Sequence, residues 1–182
     1  MLQPDFSPIL QIETTRLLLR PVNKRDAHEV FQLRSNEQVM MYIDKERAAS
    51  ITDAEAFINR IIQSLNAGDG ITWAICTSED PSTLIGTIGY WRLIKEHYRA
   101  EIGYMLHPGF WNRGIMKEAL VKVIETGFNS LNLHSIEAHI NPQNTASACL
   151  LTGTGFTRDA YFRENFFFNG IFKDTAVYSR LA

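Results

Sequence analysis

The sequence predicts a mixed α/β (α+β) fold, in which a mostly antiparallel central sheet of about seven strands carries flanking helices. Three apolar segments at 71–77, 84–92 and 98–106 follow one another through short connections, which favours antiparallel neighbours. Amphipathic helix patterns precede and follow this series, and an Asn-Gly dipeptide near the end is a strong hairpin signal. The order of elements is not a strict βαβ repeat, and the chain is expected to form one domain over 1–182.

The first part of the chain predicts one strand and two helices. Arg16–Pro21 is apolar enough for a strand, and a helix follows over 24–34 with Asn23 as its N-cap. A second helix is predicted to begin at Thr52, because Thr52 and Glu55 form a capping-box pattern. Its apolar residues recur at helical spacing until an Ala-Gly pair ends it.

Beyond the three serial strands, the pattern returns to helices. A long helix is predicted over 114–128, with its apolar residues on one face, and a further strand over 135–140. Asn144 is the predicted N-cap of a short helix. Two last strands are predicted to flank the turn Asn169-Gly170.

Composition and charge exclude several classes of function. The formal net charge is −2 and no Lys/Arg block is present, so neither a nucleic-acid nor a membrane partner is expected. No apolar run is long enough to span a bilayer. Cys76 and Cys149 lie in apolar patterns and are expected to be buried free thiols of a cytoplasmic protein. The five histidines lack metal-ligand spacing, so no metal site is expected.

The most informative segment runs from His107 to Ala119, where an apolar strand turns into an amphipathic helix. A helix N-terminus offers unpaired N–H groups and the positive end of the helix dipole, which together favour a phosphate group. Gly114 has no side chain and lets the backbone approach a ligand, while Asn112 tolerates a left-handed conformation. The segment therefore predicts a phosphate-bearing ligand, although its glycine spacing does not match a Rossmann dinucleotide turn.

Four separated motifs together resemble the GNAT superfamily of N-acetyltransferases, in the branch of the ribosomal-protein acetyltransferases RimJ and RimL. In chain order they are Glu13-Thr14-Thr15-Arg16-Leu17-Leu18-Leu19-Arg20-Pro21, Glu101 to Leu106 with Trp111 to Ala119, Asn144-Thr145-Ala146-Ser147 before Gly155-Phe156, and Asn169-Gly170 with Asp174. The match extends from about Thr14 to Leu181. The resemblance implies a GNAT-type fold and direct acetyl transfer from acetyl-CoA to an amine, without an acetyl-enzyme.

Acetyl-CoA is the co-substrate that the resemblance implies. Backbone N–H groups of 112–116 are expected to hold its diphosphate, with a charge-assisted contact from Arg113. In this superfamily the strand before the loop splays from the strand at 135–140, so its open edge is expected to pair with the pantetheine arm, which Asn144 also contacts. The predicted cofactor-binding residues are Tyr104, Met105, Leu106, Trp111, Asn112, Arg113, Gly114, Ile115, Met116 and Asn144.

Two residues are predicted to be catalytic. Glu101 opens the strand that leads into the loop, and its carboxylate could accept the proton of the amine, directly or through a water; alternatively it pairs with Arg99 at the sheet surface. By resemblance, Ser147 lies near the thioester sulfur and can donate a hydrogen bond to the departing thiolate. Many members of the superfamily carry a general-acid Tyr at the position of Leu151, which cannot donate a proton.

Aromatic residues crowd the segments expected to face the acceptor. The predicted acceptor-binding residues are Tyr90, Trp91, Glu164 and Phe166. Strict alternation places Glu164 and Phe166 on one face of the last hairpin unless a bulge intervenes. Glu164 could bind a cationic acceptor or act as an alternative base. The competing interpretations are an ordinary apolar sheet face with an exposed Glu at its rim, or a homodimer contact.

Three functions stay open on the sequence. The first is an N-acetyltransferase acting on a primary amine that is a protein N-terminal α-amine. The pKa of such an amine is ~8 and that of a Lys side chain is ~10.4, so deprotonating the α-amine near neutral pH is easier by about two pKa units. The second is the same reaction on a small molecule such as a polyamine, amino acid or antibiotic, and the lack of a dense acidic cluster favours the first. The third is a non-catalytic acyl-CoA-binding sensor, which the Leu at position 151 would permit.

Overall fold

A computed structural model describes the chain from Met1 to Ala182 as one sheet with helices packed on it. The strands are β1 (Ile12–Glu13), β2 (Leu17–Pro21), β3 (Ile71–Thr77), β4 (Gly86–Ile94), β5 (Arg99–Leu106), β6 (Ser135–Ile140), β7 (Thr157–Phe168) and β8 (Ile171–Leu181). The helices are α1 (Ala27–Ser35), α2 (Glu37–Met40), α3 (Ile51–Asn66), α4 (Ile115–Asn129) and α5 (Thr145–Thr152). Short 3₁₀ turns lie at Ser7–Ile9, Lys24–Asp26, Lys95–His97 and Pro108–Phe110.

The sheet has the order β1-β2-β3-β4-β5-β6-β8-β7. Every pair of neighbours is antiparallel except β5 and β6, which are parallel. This confirms the predicted mixed, mostly antiparallel sheet with flanking helices. The sheet has eight strands where the sequence predicted about seven, because β1 contains only two residues and leaves no alternating pattern.

Both faces of the sheet are covered near its centre. Trp73 and Ile75 of β3 point into the larger apolar cluster, which α4 also lines, whereas Ala74 and Cys76 point into a smaller cluster lined by α1 and α3. Successive side chains of a strand face opposite sides, so β3 is apolar throughout instead of alternating. The core therefore consists of two layers of helix on one sheet.

The predicted N-cap of α3 is wrong by two residues, and the helix begins at Ile51, one residue before the predicted Thr52. Ser50 is the N-cap: its hydroxyl accepts from the Asp53 N–H at 3.4 Å, and the Asp53 carboxylate accepts from the Ser50 N–H at 2.9 Å. Thr52 and Glu55 lie inside the first turns instead. The same capping pattern thus occurs twice, two residues apart, and the earlier copy forms the cap.

The predicted cap of α5 and the predicted turn of the last hairpin are confirmed. Asn144 caps α5, with its Oδ1 accepting from the Ser147 N–H at 3.0 Å. Asn169 and Gly170, at φ 49° and 78°, form the two-residue turn of the β7–β8 hairpin.

Cys149, predicted to be buried, is exposed, because it lies on the side of α5 opposite the buried residues of that helix. None of the helices has the length and hydrophobicity to cross a bilayer.

Candidate cofactor and active site

The candidate site begins where β5 and β6 separate. The two strands pair only over Arg99–Glu101 and Ser135–Glu137, whereas β4 stays beside β5 as far as Leu106. From residue 102 to 106, the β6-facing edge of β5 has no strand partner. Unpaired backbone groups on a strand edge can pair with an amide-bearing ligand.

The loop after β5 carries a row of unpaired backbone donors. Asn112 (φ 59°) and Gly114 (φ 73°) are both left-handed, which confirms the conformation predicted for Asn112, and α4 begins directly after Gly114. None of the N–H groups from Asn112 to Lys117 donates a hydrogen bond within the protein. Ile115 is buried and Met116 packs against the core, so these two residues offer a ligand their N–H groups. The loop is therefore suited to an anion.

Side-chain contacts hold this loop in place. The Trp111 Nε1–H donates to the Leu106 carbonyl at 2.8 Å and closes the loop onto the end of β5. Arg16, just before β2, donates from Nη1 to the Arg113 carbonyl at 3.0 Å. The Arg113 guanidinium itself stays at the surface, 5.7 Å from the centroid of the Phe110 ring. The Trp111 indole thus acts as an anchor of the loop.

A polar network that supports the loop was missed in the sequence. The Glu118 carboxylate, on the first turn of α4, accepts from the Thr14 hydroxyl at 2.6 Å, the Arg16 N–H at 2.9 Å and the Arg16 Nε–H at 2.7 Å. Partial burial raises the pKa of Glu118, but these hydrogen bonds outweigh it and hold the pKa below its usual range. The partners lie more than 100 residues apart in the chain, so no local pattern indicates the pairing.

On the other side of the opening, α5 presents a hydroxyl. Ser147 is 6% exposed, and its Oγ lies 2.6 Å from the Tyr104 hydroxyl on β5. Burial raises the pKa of Tyr104 to about 12, although the hydrogen bond with Ser147 lowers it. Leu151, one turn further along α5, is fully buried in the apolar core. The structure therefore brings together Tyr104 and Ser147, which the sequence had assigned to separate roles.

Glu101 is the buried acid of the site. It is 9% exposed, and its Oε1 lies 4.0 Å from the His139 Nδ1 on β6. Arg99 pairs with Glu137 at 3.1 Å, so the alternative pairing of Glu101 with Arg99 is not observed. Burial raises the pKa of Glu101, and the nearby Glu137 charge adds to this, while His139, Arg92 and Arg99 lower it; the net direction is upward. A carboxyl group with a raised pKa is suited to proton transfer near neutral pH.

The two acceptor residues predicted on β4 have different surroundings. Tyr90 is fully buried and its hydroxyl donates to the Val123 carbonyl at 2.8 Å, so the structure corrects its assignment to the acceptor surface. Trp91 follows at an irregularity in the β4–β5 register and is 55% exposed. Its ring lies over Gly103, where an added Cβ would be 3.3 Å from Trp91 Cδ1. A bulge thus turns Trp91 outward beside the site strand.

Glu164 and Phe166 lie on β7, the outermost strand of the sheet. A break in register between Phe162 and Phe166 interrupts the alternation, and Glu164 adopts φ 50° with its N–H donating to Asp174 Oδ1 at 2.8 Å. The Glu164 side chain makes no hydrogen bond or ion pair with the residues at the β5–β6 opening. The predicted site residues therefore fall into two groups, one at the β5–β6 opening and one on the β7–β8 hairpin.

The chemistry that this site can support follows from these parts. The loop offers free amides and a helix dipole, the strand edge offers free backbone groups, and the opening is flanked by one buried carboxyl group and a pair of hydroxyls. These are the groups required to hold a phosphorylated carrier, remove a proton from a nucleophile and stabilise an anionic leaving group. No cluster of three or more His, Cys, Asp or Glu side chains is arranged to hold a metal ion.

Comparison with known proteins identifies the family. A family model described as an acetyltransferase (GNAT) domain matches residues 16–157. The N-acetyltransferase YoaA of Bacillus subtilis (strain 168), which is uncharacterized, is 39% identical over 172 residues, covering 94% of this chain and 96% of that protein.

Two solved structures share the fold. RimL, a ribosomal L7/L12 alpha-N-protein acetyltransferase in complex with coenzyme A, has a TM-score of 0.85 at 19% identity and covers 94% of this chain and 97% of that one. The spermidine N-acetyltransferase from Vibrio cholerae, in complex with coenzyme A and spermine, has a TM-score of 0.81 at 23% identity and covers 92% and 96%. With the family model spanning most of its length, the chain belongs to the GNAT family and is an N-acetyltransferase.

Proposed function

We propose that this enzyme transfers the acetyl group of acetyl-CoA directly to a protein N-terminal α-amine. The observation that carries the proposal is the row of free N–H groups from Asn112 to Lys117 beside the unpaired edge of β5. A diphosphate and a peptide-like arm need these two features in this order. The proposed co-substrate supplies an acetyl group activated as a thioester.

The residues around the opening fit acetyl-CoA. The N–H groups of Asn112–Met116 would hold the diphosphate, and Arg113 is free at the surface to add a charge-assisted contact. The open edge at Tyr104–Leu106 would pair with the amides of the pantetheine arm. The Asn144 Oδ1 already accepts the capping hydrogen bond at the start of α5, so its amide NH₂ is the group that would donate to the same arm.

Glu101 is the proposed base. Its carboxylate takes the proton of the attacking ammonium group, so that the amine is neutral when it attacks the carbonyl carbon. An α-amine, with a pKa of about 8, is already partly neutral at physiological pH, whereas a Lys side chain, with a pKa of about 10.4, is not. A carboxyl group whose pKa burial raises is adequate for the former task. Ser147 is the proposed hydrogen-bond donor to the departing thiolate.

The charges around Glu101 support an α-amine over a polyamine. Arg92, Arg99 and His139 lie near enough to lower its pKa, and Glu137 is the one neighbouring carboxylate that raises it. A polycation approaching this carboxyl group would meet two arginines and one further carboxylate, Glu137, which is not an acidic pocket. The small-amine alternative is kept because a structural relative binds spermine, and the sensor alternative because Leu151 supplies no proton.

The acceptor surface is proposed to include Trp91, Glu164 and Phe166. Trp91 is exposed beside the strand that carries Glu101. Exposed apolar residues, among them Phe162, Phe167 and Phe172, lie on the same β7–β8 hairpin as Glu164 and Phe166. The same hairpin is the proposed contact of a homodimer. Light scattering on the wild type and on a Phe167→Ser, Phe172→Ser variant separates these roles, since a monomeric wild type leaves only acceptor binding.

An acceptor panel tests the proposed function. Thiol release from acetyl-CoA is measured with a peptide that has a free α-amine, the same peptide with a blocked N-terminus and one internal Lys, and spermidine. We expect turnover with the first peptide and at least tenfold less with the other two. Faster turnover of spermidine would establish the second function, and binding of coenzyme A without turnover on any amine would establish the sensor.

A further inference from the structure

The Tyr104–Ser147 contact connects β5 to α5 beside the opening. We infer that Tyr104 is a positioning residue, which holds the Ser147 hydroxyl so that its proton is directed at the sulfur of the departing coenzyme A thiolate. This inference rests on the proposed function and adds a residue to it, since a side-chain role for Tyr104 was not part of the predicted site.

Counting protons supports this assignment. Tyr104 and Ser147 carry one hydroxyl proton each, and the 2.6 Å contact between their oxygens uses one of the two. Neither hydroxyl has a second partner in the protein. Whichever oxygen donates within the pair, one O–H remains without an acceptor. The pair therefore has one hydroxyl proton available for a ligand that accepts a hydrogen bond at the opening.

The place of Ser147 in its helix independently supports the inference that Tyr104 positions the Ser147 hydroxyl. Hydroxyl side chains in helices commonly donate to the carbonyl four residues earlier. Ser35, Thr126 and Thr152 do so, to the carbonyls of Phe31, Lys122 and Ala148. Ser147 lies on the first turn of α5, where the residue four positions earlier, Gln143, precedes the helix, so its Oγ has no such helix carbonyl to donate to. The contact with Tyr104 is therefore the one hydrogen bond in the protein that fixes this hydroxyl.

The pKa of Tyr104 determines what the pair can do. Its pKa is raised to about 12, whereas an ordinary thiol has a pKa of about 8.5. A thiolate is therefore too weak a base to take the phenol proton through Ser147. The sulfur accepts a hydrogen bond and leaves as the thiolate, both oxygens keep their protons, and no tyrosinate forms. Tyr104 orients the donor and is not a general acid.

The test uses the conservative variant Tyr104→Phe, with Ser147→Ala, the double variant, and Thr152→Ala as a matched control. Thr152 is on the same helix, and its hydroxyl already donates to Ala148. Circular dichroism first establishes that each variant is folded. Calorimetry then measures the affinity of each protein for coenzyme A and for desulfo-coenzyme A at pH 9, above the ordinary thiol pKa of about 8.5.

We expect the wild type to prefer coenzyme A over its desulfo form about tenfold or more, the range of a hydrogen bond to a charged group. Tyr104→Phe and Ser147→Ala should both lose this preference, while Thr152→Ala keeps it. In turnover, both variants should lower kcat by about tenfold with little change in KM for acetyl-CoA, and the double variant should lose no more than Ser147→Ala alone.

Two results would overturn the inference. One is a Tyr104→Phe enzyme with wild-type kcat and wild-type preference for coenzyme A; the other is a double variant whose loss is the product of the single losses, which means that the two residues act independently. A wild type that turns over no amine would contradict the proposed function instead, and the affinity measurement would still test the pair. A wild type that does not bind coenzyme A would contradict both.

Discussion

Glu101 illustrates at the scale of one residue how a site can oppose stability. Folding removes its carboxyl group from water, so the charged form is disfavoured and the pKa rises. The folded protein consequently holds this proton more tightly than the unfolded chain does. Glu101 therefore reduces stability as pH rises from the ordinary Glu value of about 4.3 through the raised folded value.

The variant Glu101→Gln should separate the two effects. Without a base, kcat/KM should fall about a hundredfold to ten-thousandfold. Because the amide does not ionise, the variant should gain unfolding free energy relative to the wild type between pH 4 and pH 8, measured by urea denaturation. Glu96→Gln, at an exposed position, serves as the control and should change neither quantity. A Glu101→Gln enzyme with wild-type kcat/KM would exclude Glu101 as the base.

Gly114 is the second residue that the site depends on. Its φ of 73° disfavours any other residue, and an added Cβ would meet only the Arg16 guanidinium, 3.5 Å away. Gly114→Ala should therefore cost about 1 to 2 kcal/mol of strain, while the loop relaxes away from its anion-binding shape. We expect at least a tenfold weaker affinity for coenzyme A by calorimetry.

Gly68→Ala is the matched control for this prediction. Gly68 also has a left-handed φ, 70°, and the nearest atom to an added Cβ is 3.8 Å away; the residue lies just past α3. The Gly68→Ala variant should lose about as much unfolding free energy as Gly114→Ala and keep the wild-type affinity for coenzyme A. Equal affinities of the two variants would mean that the loop conformation is not what binds the ligand.

At the scale of elements, the start of α4 depends on a segment far away in the chain. Arg16 and Thr14, before β2, hold the Glu118 carboxylate on the first turn of α4, and Arg16 also reaches the Arg113 carbonyl. The helix therefore begins where the β2 segment fixes it. The position of the free N–H groups is set by this contact as well as by the left-handed residues of the loop.

Glu118→Gln tests this support. Losing the ion pair with Arg16, which is partly exposed, should cost about 1 kcal/mol or less of stability. The KM for acetyl-CoA should rise severalfold with kcat nearly unchanged, because the residue positions the loop and touches no reacting atom. Glu125→Gln, which breaks an exposed pair with Lys122 on the same helix, should leave both constants unchanged. An unchanged KM in Glu118→Gln would show that the network is only structural.

At the scale of the whole molecule, two apolar clusters pack the sheet against the helices on its two faces. Ile88 of β4 is fully buried in the larger cluster between the sheet and α4. Ile88→Ala should lower the free energy of unfolding by about 2 to 5 kcal/mol, since the cavity collapses only partly. Val121→Ala, on the exposed face of α4, should change it by about 0.5 kcal/mol or less. Chemical denaturation measures both, and equal effects would contradict this assignment of the core.

Elements with a local signal were predictable from the sequence. The strands, the long helix, the Asn144 cap and the Asn169-Gly170 turn depend on residues within a few positions of one another, so propensity and periodicity are sufficient. Where two local signals compete, as at Ser50 and Thr52, the pattern identifies the helix but not its first residue. The two-residue strand β1 leaves no pattern at all.

The sequence by itself determined which segments form the sheet, and it predicted the left-handed Asn112 before the long helix α4, because these properties depend on neighbouring residues. Only the tertiary structure decided that Tyr90 is core, that Glu101 lies beside His139, that Arg16 holds Glu118 and that Tyr104 meets Ser147. Each of these contacts joins parts of the chain that are more than 30 residues apart. Which of the many possible distant pairs form is set by packing of the whole sheet, and no short-range pattern encodes it.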